Sequence, residues 1–308
     1  MKIGLNILLI ISILLIVCIL MICLISYIEN RKLVVTEYTI KNRRVPSGFQ
    51  GFRIAQLSDL HNACFGSANE ILFERLKCCE PDIIVVTGDM IVGKPDQDVL
   101  FAADTMNALC DIAPVYFSMG NHELRASIYT DTYKDMWETF RNRLDPRIHM
   151  LLDRTETYEK NGDRIFLHGL NLTPELYRRW VRTQMPQEYL EQLFGTCDPD
   201  SFHIFLAHNP EYFEEYAAWG ADITFSGHVH GGMIRIPFLG GVISPLIRIF
   251  PRYDKGLFER NGKYMVLSGG LGNHTFKIRV NNVPEIVLVV LNNDRYKYND
   301  DTYEGDQE

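Results

Sequence analysis

Aspartate, asparagine and histidine recur in five short blocks of this 308-residue sequence: Ser58-Asp59-Leu60-His61, Gly88-Asp89, Gly120-Asn121-His122-Glu123, Ala207-His208-Asn209 and Gly227-His228-Val229-His230-Gly231. Five of the nine histidines fall in them. Carboxylate, amide and imidazole donors without thiolate suit hard to borderline divalent ions such as manganese, iron or zinc, not a structural zinc held by cysteine. The donors suffice for two ions: with one bridging carboxylate, each ion has four ligands and keeps positions open for water and substrate. That is a two-metal hydrolytic site, with ions about 3.5 to 4 Å apart. Asp59 with His61, and His228 with His230, are i, i+2 pairs, and on an extended backbone the members of such a pair face one side. Glycines 88, 120, 227 and 231 fit close backbone approach or positive φ beside a crowded centre. A lone Asp or His at a strand end is more often a cap or a hydrogen-bonded structural group. Five placements in one order are hard to obtain from capping needs alone.

The elements that must position these blocks alternate short β-branched runs with helical patterns. Phe52 to Leu57, Asp82 to Thr87 and Val115 to Met119 read as strands, separated by helices at about Ala68 to Cys79 and Asp96 to Cys110, a βαβαβ pattern that predicts parallel strands. Further strands are predicted at Arg164 to Leu167, His203 to Ala207, Ile223 to Ser226, Tyr264 to Ser268 and Glu285 to Leu291. An α/β fold with one or two sheets follows, and ligands of open α/β sheets collect beyond the carboxyl ends of the strands. The five blocks stand at such ends.

The ordered set D-x-H, G-D, G-N-H-E, H, G-H-x-H resembles the calcineurin-like metallophosphoesterase family. With the apolar N-terminus and the late Pro251-Arg252-Tyr253-Asp254-Lys255-Gly256, the chain looks like the membrane-anchored bacterial branch, over about residues 34 to 291. The resemblance implies a metallo-dependent phosphatase-like fold: two mixed β-sheets packed as a sandwich and flanked by helices. It implies that Asp59, His61 and His230 hold one divalent ion and Asn121, His208 and His228 the other, with Asp89 bridging. Manganese is the first expectation, with iron, zinc or magnesium as alternatives. It implies in-line attack of a metal-activated hydroxide on phosphorus, with His122 as the general acid, and Glu123 orienting a ligand. Relatives commonly carry Gln after G-H-x-H-G-G; Met233 stands here, which bears on substrate contacts rather than on the metals.

Between Lys2 and Glu29 no residue is charged, and residues 3–28 are dominated by Ile and Leu, enough to cross about 30 Å of hydrocarbon. A cleaved signal peptide would need a shorter apolar core and small residues at the cut. One membrane-spanning anchor is expected, and the basic residues Arg31, Lys32, Lys41, Arg43 and Arg44 favour a cytoplasmic catalytic domain. Residues 29–50 read as a linker or edge strand, 51–293 as the metallophosphoesterase domain, and 294–308, with six acidic and two basic residues, as a solvated tail. A net charge of −8 argues against a nucleic-acid partner bound by phosphate neutralisation. The seven cysteines lack the spacing of a disulfide framework or a CxxC site.

The apolar stretch from Met233 to Phe250, with Arg235, Arg248 and Arg252, reads either as a lipid-facing groove whose arginines meet a head group or as a buried hairpin with arginines in solvent. His149, His168, His203 and His274 lack motif context and read as structural or exposed, and Gly272-Asn273-His274 is followed by Thr275 where the family block requires an acid. The expected function is hydrolysis of a phosphodiester or pyrophosphate bond in a phosphorylated small-molecule or lipid substrate at the bilayer. A UDP-2,3-diacylglucosamine-type pyrophosphate hydrolase of lipid A synthesis is the specific alternative. A non-catalytic, membrane-tethered metal-binding scaffold is the alternative of another class; the complete ligand set argues against it.

Overall fold

The computed structural model describes residues 2–178, 181–244, 248–273 and 278–295. His274 and most of the acidic tail, from 296 onward, lie outside the described residues. The chain opens with helix α1 (Lys2–Glu29). Its stretch Asn6–Glu29 has a mean hydropathy of 3.6, and Leu8, Leu14 and Leu20 are exposed like most of their neighbours. A helix that is apolar on every side and exposed over most of its length requires an apolar surrounding, so its length and composition fit membrane anchoring.

Two six-stranded mixed sheets follow. The first is built from β1 (Val34–Lys41), β2 (Phe52–Leu57), β3 (Ile83–Val86), β4 (Val115–Phe117) and β5 (Ile148–Met150). The second takes β6 (Arg154–Lys160), β7 (Asp163–Leu170), β8 (His203–Ala207) and β9 (Ile223–Ser226). A small ribbon, β10 (Arg235–Ile236) with β11 (Gly240–Gly241), precedes β12 (Gly256–Arg260) and β13 (Lys263–Leu267), which complete the second sheet. The last strand, β14 (Glu285–Asn292), returns to the first sheet between β1 and β2. Strands β2 to β5 are mutually parallel, as the βαβ pattern requires. The same holds for β7, β8, β9 and β13.

Alternation along the strands sorts side chains between layers. Ile83 and Val85 face the second sheet in a core with Ile54, Leu167, Ile204 and Phe225. Ile84 and Val86 face the other way. There they meet α2 (Glu70–Cys78), α3 (Leu100–Leu109) and, beyond α4 (Asn121–Ile128) and α5 (Thr130–Tyr133), α6 (Met136–Arg143), through Leu72, Leu76, Met106 and Phe140. A strand buried on both faces reads as a continuous apolar run, as Ile83-Ile84-Val85-Val86 does. On the outer face of the second sheet, α7 (Tyr189–Phe194) and α8 (Phe213–Trp219) pack Leu190 and Tyr216 against Phe205. Helix α2 starts at Glu70 rather than Ala68 because Ala68 and Asn69 both have positive φ, 49° and 66°.

The histidines outside the five blocks are structural where described. Thr155 Oγ1 donates to His168 Nδ1 at 2.7 Å, His168 Nε2 to His203 Nδ1 at 2.9 Å, and His203 Nε2 to the Asp198 carbonyl at 2.9 Å. The carbonyl can only accept, which fixes every proton along the chain. Burial, then the neighbouring His203 ring, pushes His168 down to about 3. His149 stacks on Tyr116 and pairs with Glu156 at 2.6 Å. All seven cysteines are free.

Strand β1 pairs in parallel with β14 along its whole length, from Val34 opposite Glu285 to Lys41 opposite Asn292, and buries Ile40, while Leu33 is buried just before it. Removing residues 1–47 would expose β14 as an apolar edge and lose the burial of three aliphatic side chains, Leu33, Ile40 and Val45, each contributing about 1.5–3 kcal/mol. A chain starting at Gly48 is expected to melt about 10 °C below one starting at Lys32, measured by thermal unfolding in one detergent buffer. Equal melting temperatures would show that β1 contributes nothing to the sheet's stability.

Candidate metal centre

The carboxyl ends of β2, β3, β4, β8 and β9 converge where the two sheets meet, and each carries one of the five blocks. The i, i+2 pairs do not converge on extended backbone, as their spacing suggested. Asp59, His61, Asp89, His228 and His230 all have positive φ, between 44° and 72°. Such left-handed turns are costly for residues with a Cβ and persist where the surroundings enforce them. Here the surroundings are other loops of the site. The Asp59 N–H donates to Gly88 O at 2.9 Å, His61 N–H to Asp89 O at 3.1 Å, and Gly272 N–H to Asp59 O at 2.7 Å. Two glycines allow the approach. A Cβ on Gly120 would stand 2.2 Å from Asp89 Oδ1, and one on Gly227 would stand 2.0 Å from Ser58 Oγ and 2.4 Å from Asp59 Oδ2.

Six of the seven predicted ligands come together with His122. Asp59, His61 and His230 form one compact group, Asp89, His208 and His228 a second, and His61, Asp89 and His122 a third, all buried. Asp89 is central: its Oδ2 lies 3.3 Å from His208 Nε2, 3.7 Å from His61 Nε2 and 3.8 Å from His122 Nε2. Its Oδ1 accepts the His122 backbone N–H at 2.8 Å. Asp59 Oδ1 lies 3.2 Å from His230 Nε2, while Oδ2 accepts from Ser58 Oγ at 2.6 Å. Asn121, the first residue of α4, presents a buried Oδ1 that has no hydrogen-bond partner among the described residues.

The imidazole tautomers follow from their partners. His61 Nδ1 donates to Ile91 O at 3.2 Å, His208 Nδ1 to Thr87 O at 2.6 Å, and His230 Nδ1 to Gly272 O at 3.2 Å. Each ring, when neutral, turns an Nε2 lone pair toward the carboxylates, the orientation that metal-binding histidines take from a backbone carbonyl. Burial lowers the His208 ring, but Asp89 and Asp59 outweigh it and raise it to about 9, so its Nε2 proton would leave to make room for a metal ion. His61 Nε2 and His230 Nε2 stand 3.2 Å apart. Lone pairs facing lone pairs and carboxylate oxygens in a buried site call for cations between them, so the donor set fits divalent metal.

His122 is oriented the opposite way. The Gly93 N–H donates to its Nδ1 at 2.5 Å, so the neutral ring carries its proton on Nε2, the nitrogen that faces Asp89.

Burial lifts the Asp59 carboxyl, but His230 and His208 outweigh it and hold the group well below the usual carboxylate range. At Asp89 burial acts in the same sense and is overcome by His122 and His208. Burial, reinforced by His208, pushes the His228 ring down to about 3, which keeps it neutral.

Glu123 lies behind this arrangement, fully buried, with its carboxylate accepting four backbone N–H groups. These are Asp89 at 2.8 Å, Met90 at 2.7 Å, Ile91 at 3.1 Å and Gly120 at 3.0 Å. It therefore ties the loop after β3 to the start of α4. Burial, then the adjacent Asp89, raises its carboxyl to about 7.

Two contributors had no motif to mark them. Arg279 is buried and donates to the carbonyls of Gly269, Gly270, Gly272 and Asn282, at 2.6 to 3.2 Å. It thereby shapes the loop that receives His230, and burial lowers its guanidinium to about 10. Tyr177 sets its ring edge-on to His228, with 5.3 Å between centroids, and its buried hydroxyl has no partner among the described residues. The nearest sequence signal for Arg279 is its place in a turn-rich segment between two predicted strands.

Residues 52–232 match the family described as calcineurin-like phosphoesterase. The chain belongs to that family, and the class it defines is a metal-dependent phosphoesterase. Among curated proteins it is 27% identical over 277 residues to the uncharacterized metallophosphoesterase YkuE of Bacillus subtilis, spanning 86% of this chain and 87% of that one. It is 25% identical to the phosphodiesterase YaeI of Escherichia coli, across 78% of this chain and 82% of that one. It is 24% identical to the UDP-2,3-diacylglucosamine pyrophosphatase LpxG of Chlamydia muridarum, across 80% of this chain and 86% of that one.

An amide at position 123 would aim N–H groups at backbone N–H donors. Glu123→Gln is therefore expected to lower stability by about 2–3 kcal/mol, read by urea unfolding, and to reduce bound metal at equal ion concentration, read by elemental analysis. A variant with unchanged stability and metal content would remove Glu123 from the support of Asp89.

Proposed function

We propose that the chain is a membrane-anchored, two-metal phosphoesterase that hydrolyses a phosphodiester or pyrophosphate bond in a lipid-linked or envelope-related substrate. The observation that carries the reading is the position of α1: its end is hydrogen-bonded to the loop that orients His230. Glu29 accepts the N–H groups of Asn281 and Asn282 at 2.9 Å each, and Asn282 Nδ2 donates to His230 O at 2.7 Å. An anchor joined to the centre in this way suits a substrate found at the bilayer. In this reading α1 spans the membrane once over residues 3–28, residues 29–50 bring the chain into the first sheet, residues 51–293 form the catalytic domain on the cytoplasmic side, and 294–308 form a tail.

Asp59, His61 and His230 would hold one ion and Asn121, His208 and His228 the other, with Asp89 shared. The bound ions, manganese first among the alternatives, would supply Lewis acidity and an activated water at neutral pH. The residues supply the rest. The carbonyls of Ile91, Thr87 and Gly272 keep three imidazole rings in the ligating tautomer. Gly93 keeps the proton of His122 on Nε2, from which it can be donated to the departing oxygen. The kinship with LpxG supports a second, narrower reading: the pyrophosphate of a UDP-diacylglucosamine.

The test uses full-length protein in detergent, since cutting near Gly48 removes β1. Stripping with EDTA is expected to abolish hydrolysis of an aryl phosphodiester, and manganese, zinc or magnesium to restore it; turnover indifferent to EDTA would overturn the two-metal reading. His122→Ala is expected to lower kcat by about 10²–10⁴-fold with metal content unchanged. Loss of metal in that variant would make His122 a ligand instead of a proton donor.

A further inference from the structure

A cavity of about 580 Å³ lies between the last turns of α1 and the metal centre. The helix contributes Ile22, Cys23 and Tyr27 to one wall; His61, Leu271 and Ile278 form the other. We infer that this cavity receives the part of a lipid phosphoester nearest its phosphorus, so that the substrate reaches the centre sideways along α1. The inference rests on the membrane-bound phosphoesterase proposed above and names the route and the substrate class.

Four features support it. The first is depth: Cys23 precedes Glu29 by six residues, about 9 Å of helix at 1.5 Å per residue. When α1 spans a bilayer, the cavity thus begins below the helix's exit and ends at His61. An amphiphile whose phosphorus sits at the bilayer surface spans that interval, whereas a water-soluble ester has no use for its apolar end.

The second is polarity. Ile22 and Ile278 line the cavity together with Asn30, Arg31 and Asn62. The Arg31 guanidinium stacks on the Tyr27 ring at 3.9 Å from its centroid and is exposed. No carboxylate of the described residues lies within ion-pair distance of it. A cation so placed suits a phosphate oxygen.

The third is that the helix end is fixed, so the cavity is not a gap left by loose docking. Ser26, the buried residue among the exposed last turns of α1, accepts the Arg279 N–H on Oγ at 3.0 Å. Asn273 Nδ2 donates to Asn30 Oδ1 at 2.5 Å, and Glu29 accepts from the loop as described.

The fourth is the neighbouring ribbon. Asn281 Nδ2 donates to Arg235 O at 3.2 Å, which sets β10 and β11 beside the helix exit. At their tip Phe238 is fully exposed and Leu239 is 65% exposed. The arginines of this segment do not reach for a head group: Arg235 pairs with Asp254 at 2.9 Å, Arg252 with Glu214 at 2.7 Å, and Arg248 with Glu211. Its apolar side chains, with Ile249 and Phe250 also exposed, are what it offers to a bilayer.

The test places the full chain in phosphatidylcholine nanodiscs with a phosphatidylglycerol probe that bears a diazirine on the acyl carbon near the head group. After photolysis, adducts are expected on the segment from Ile22 to Tyr27 and on Leu271 or Ile278. Cys23→Trp, which fills the cavity, is expected to lower the adducts on the loop residues by about tenfold. In the same preparation it should depress kcat/KM for a lipid phosphodiester about tenfold more than kcat/KM for bis(4-nitrophenyl) phosphate. Adducts confined to the outer turns of α1, or unaffected by Cys23→Trp, would overturn the inference, as would equal losses on both substrates. Absence of any esterase activity would instead sink the proposed function, while the adduct pattern would still decide the cavity.

Discussion

Asp59 and Asp89 are carboxylates withdrawn from water where two sheets meet, and an ionised carboxylate in such a place must be compensated by opposite charge or hydrogen bonds. The fold around them supplies both. Imidazole rings stand within 4 Å of each carboxylate. Backbone N–H groups take the remaining oxygen positions, and the loops carrying the rings are stitched to one another by main-chain hydrogen bonds. The left-handed turns, the glycines that let loops touch, and the buried glutamate behind Asp89 follow from this one requirement. Each brings a donor to a place where a cation can be shared.

Much of this could be read from residue types. The five blocks stand at positions that the fold brings close together, because each ligand chemistry is strict about side chain and spacing. The strands carrying them are short β-branched runs with little helical alternative. Strands β2, β3, β8, β9 and β14 stand within a residue or so of the expected bounds. The polar strand β6 carries no such signal, having only its pairing with β7 to recommend it, and neither does β12. The helices after Gly120 are short and weakly periodic, and tertiary packing decides them. At the centre, pairing two residues apart signals convergence but not its geometry: the spacing suits an extended chain, whereas the loops turn left-handed because neighbouring loops, distant in sequence, hold them so. Arg279 and Glu29 gave no signal for the same reason, since their partners are fixed by topology and not by a motif.

The apolar segment after Met233 fits neither of its two sequence readings. Its arginines are used internally, against Asp254, Glu211 and Glu214, and its aliphatic and aromatic side chains face outward. The carboxylates that claim these arginines belong to other elements, so the sequence of the segment alone could not decide between buried and lipid-facing.

Only residues 30–33 separate α1 from β1, and Glu29 is already fastened to the catalytic loop. There is no leash. For a chain whose helix is embedded in a bilayer, the catalytic mouth is then held at a set height and tilt, and encounter with substrate becomes a search in two dimensions. Its rate would scale with the number of substrate molecules per unit area of membrane, and diluting the membranes in more buffer would leave it unchanged.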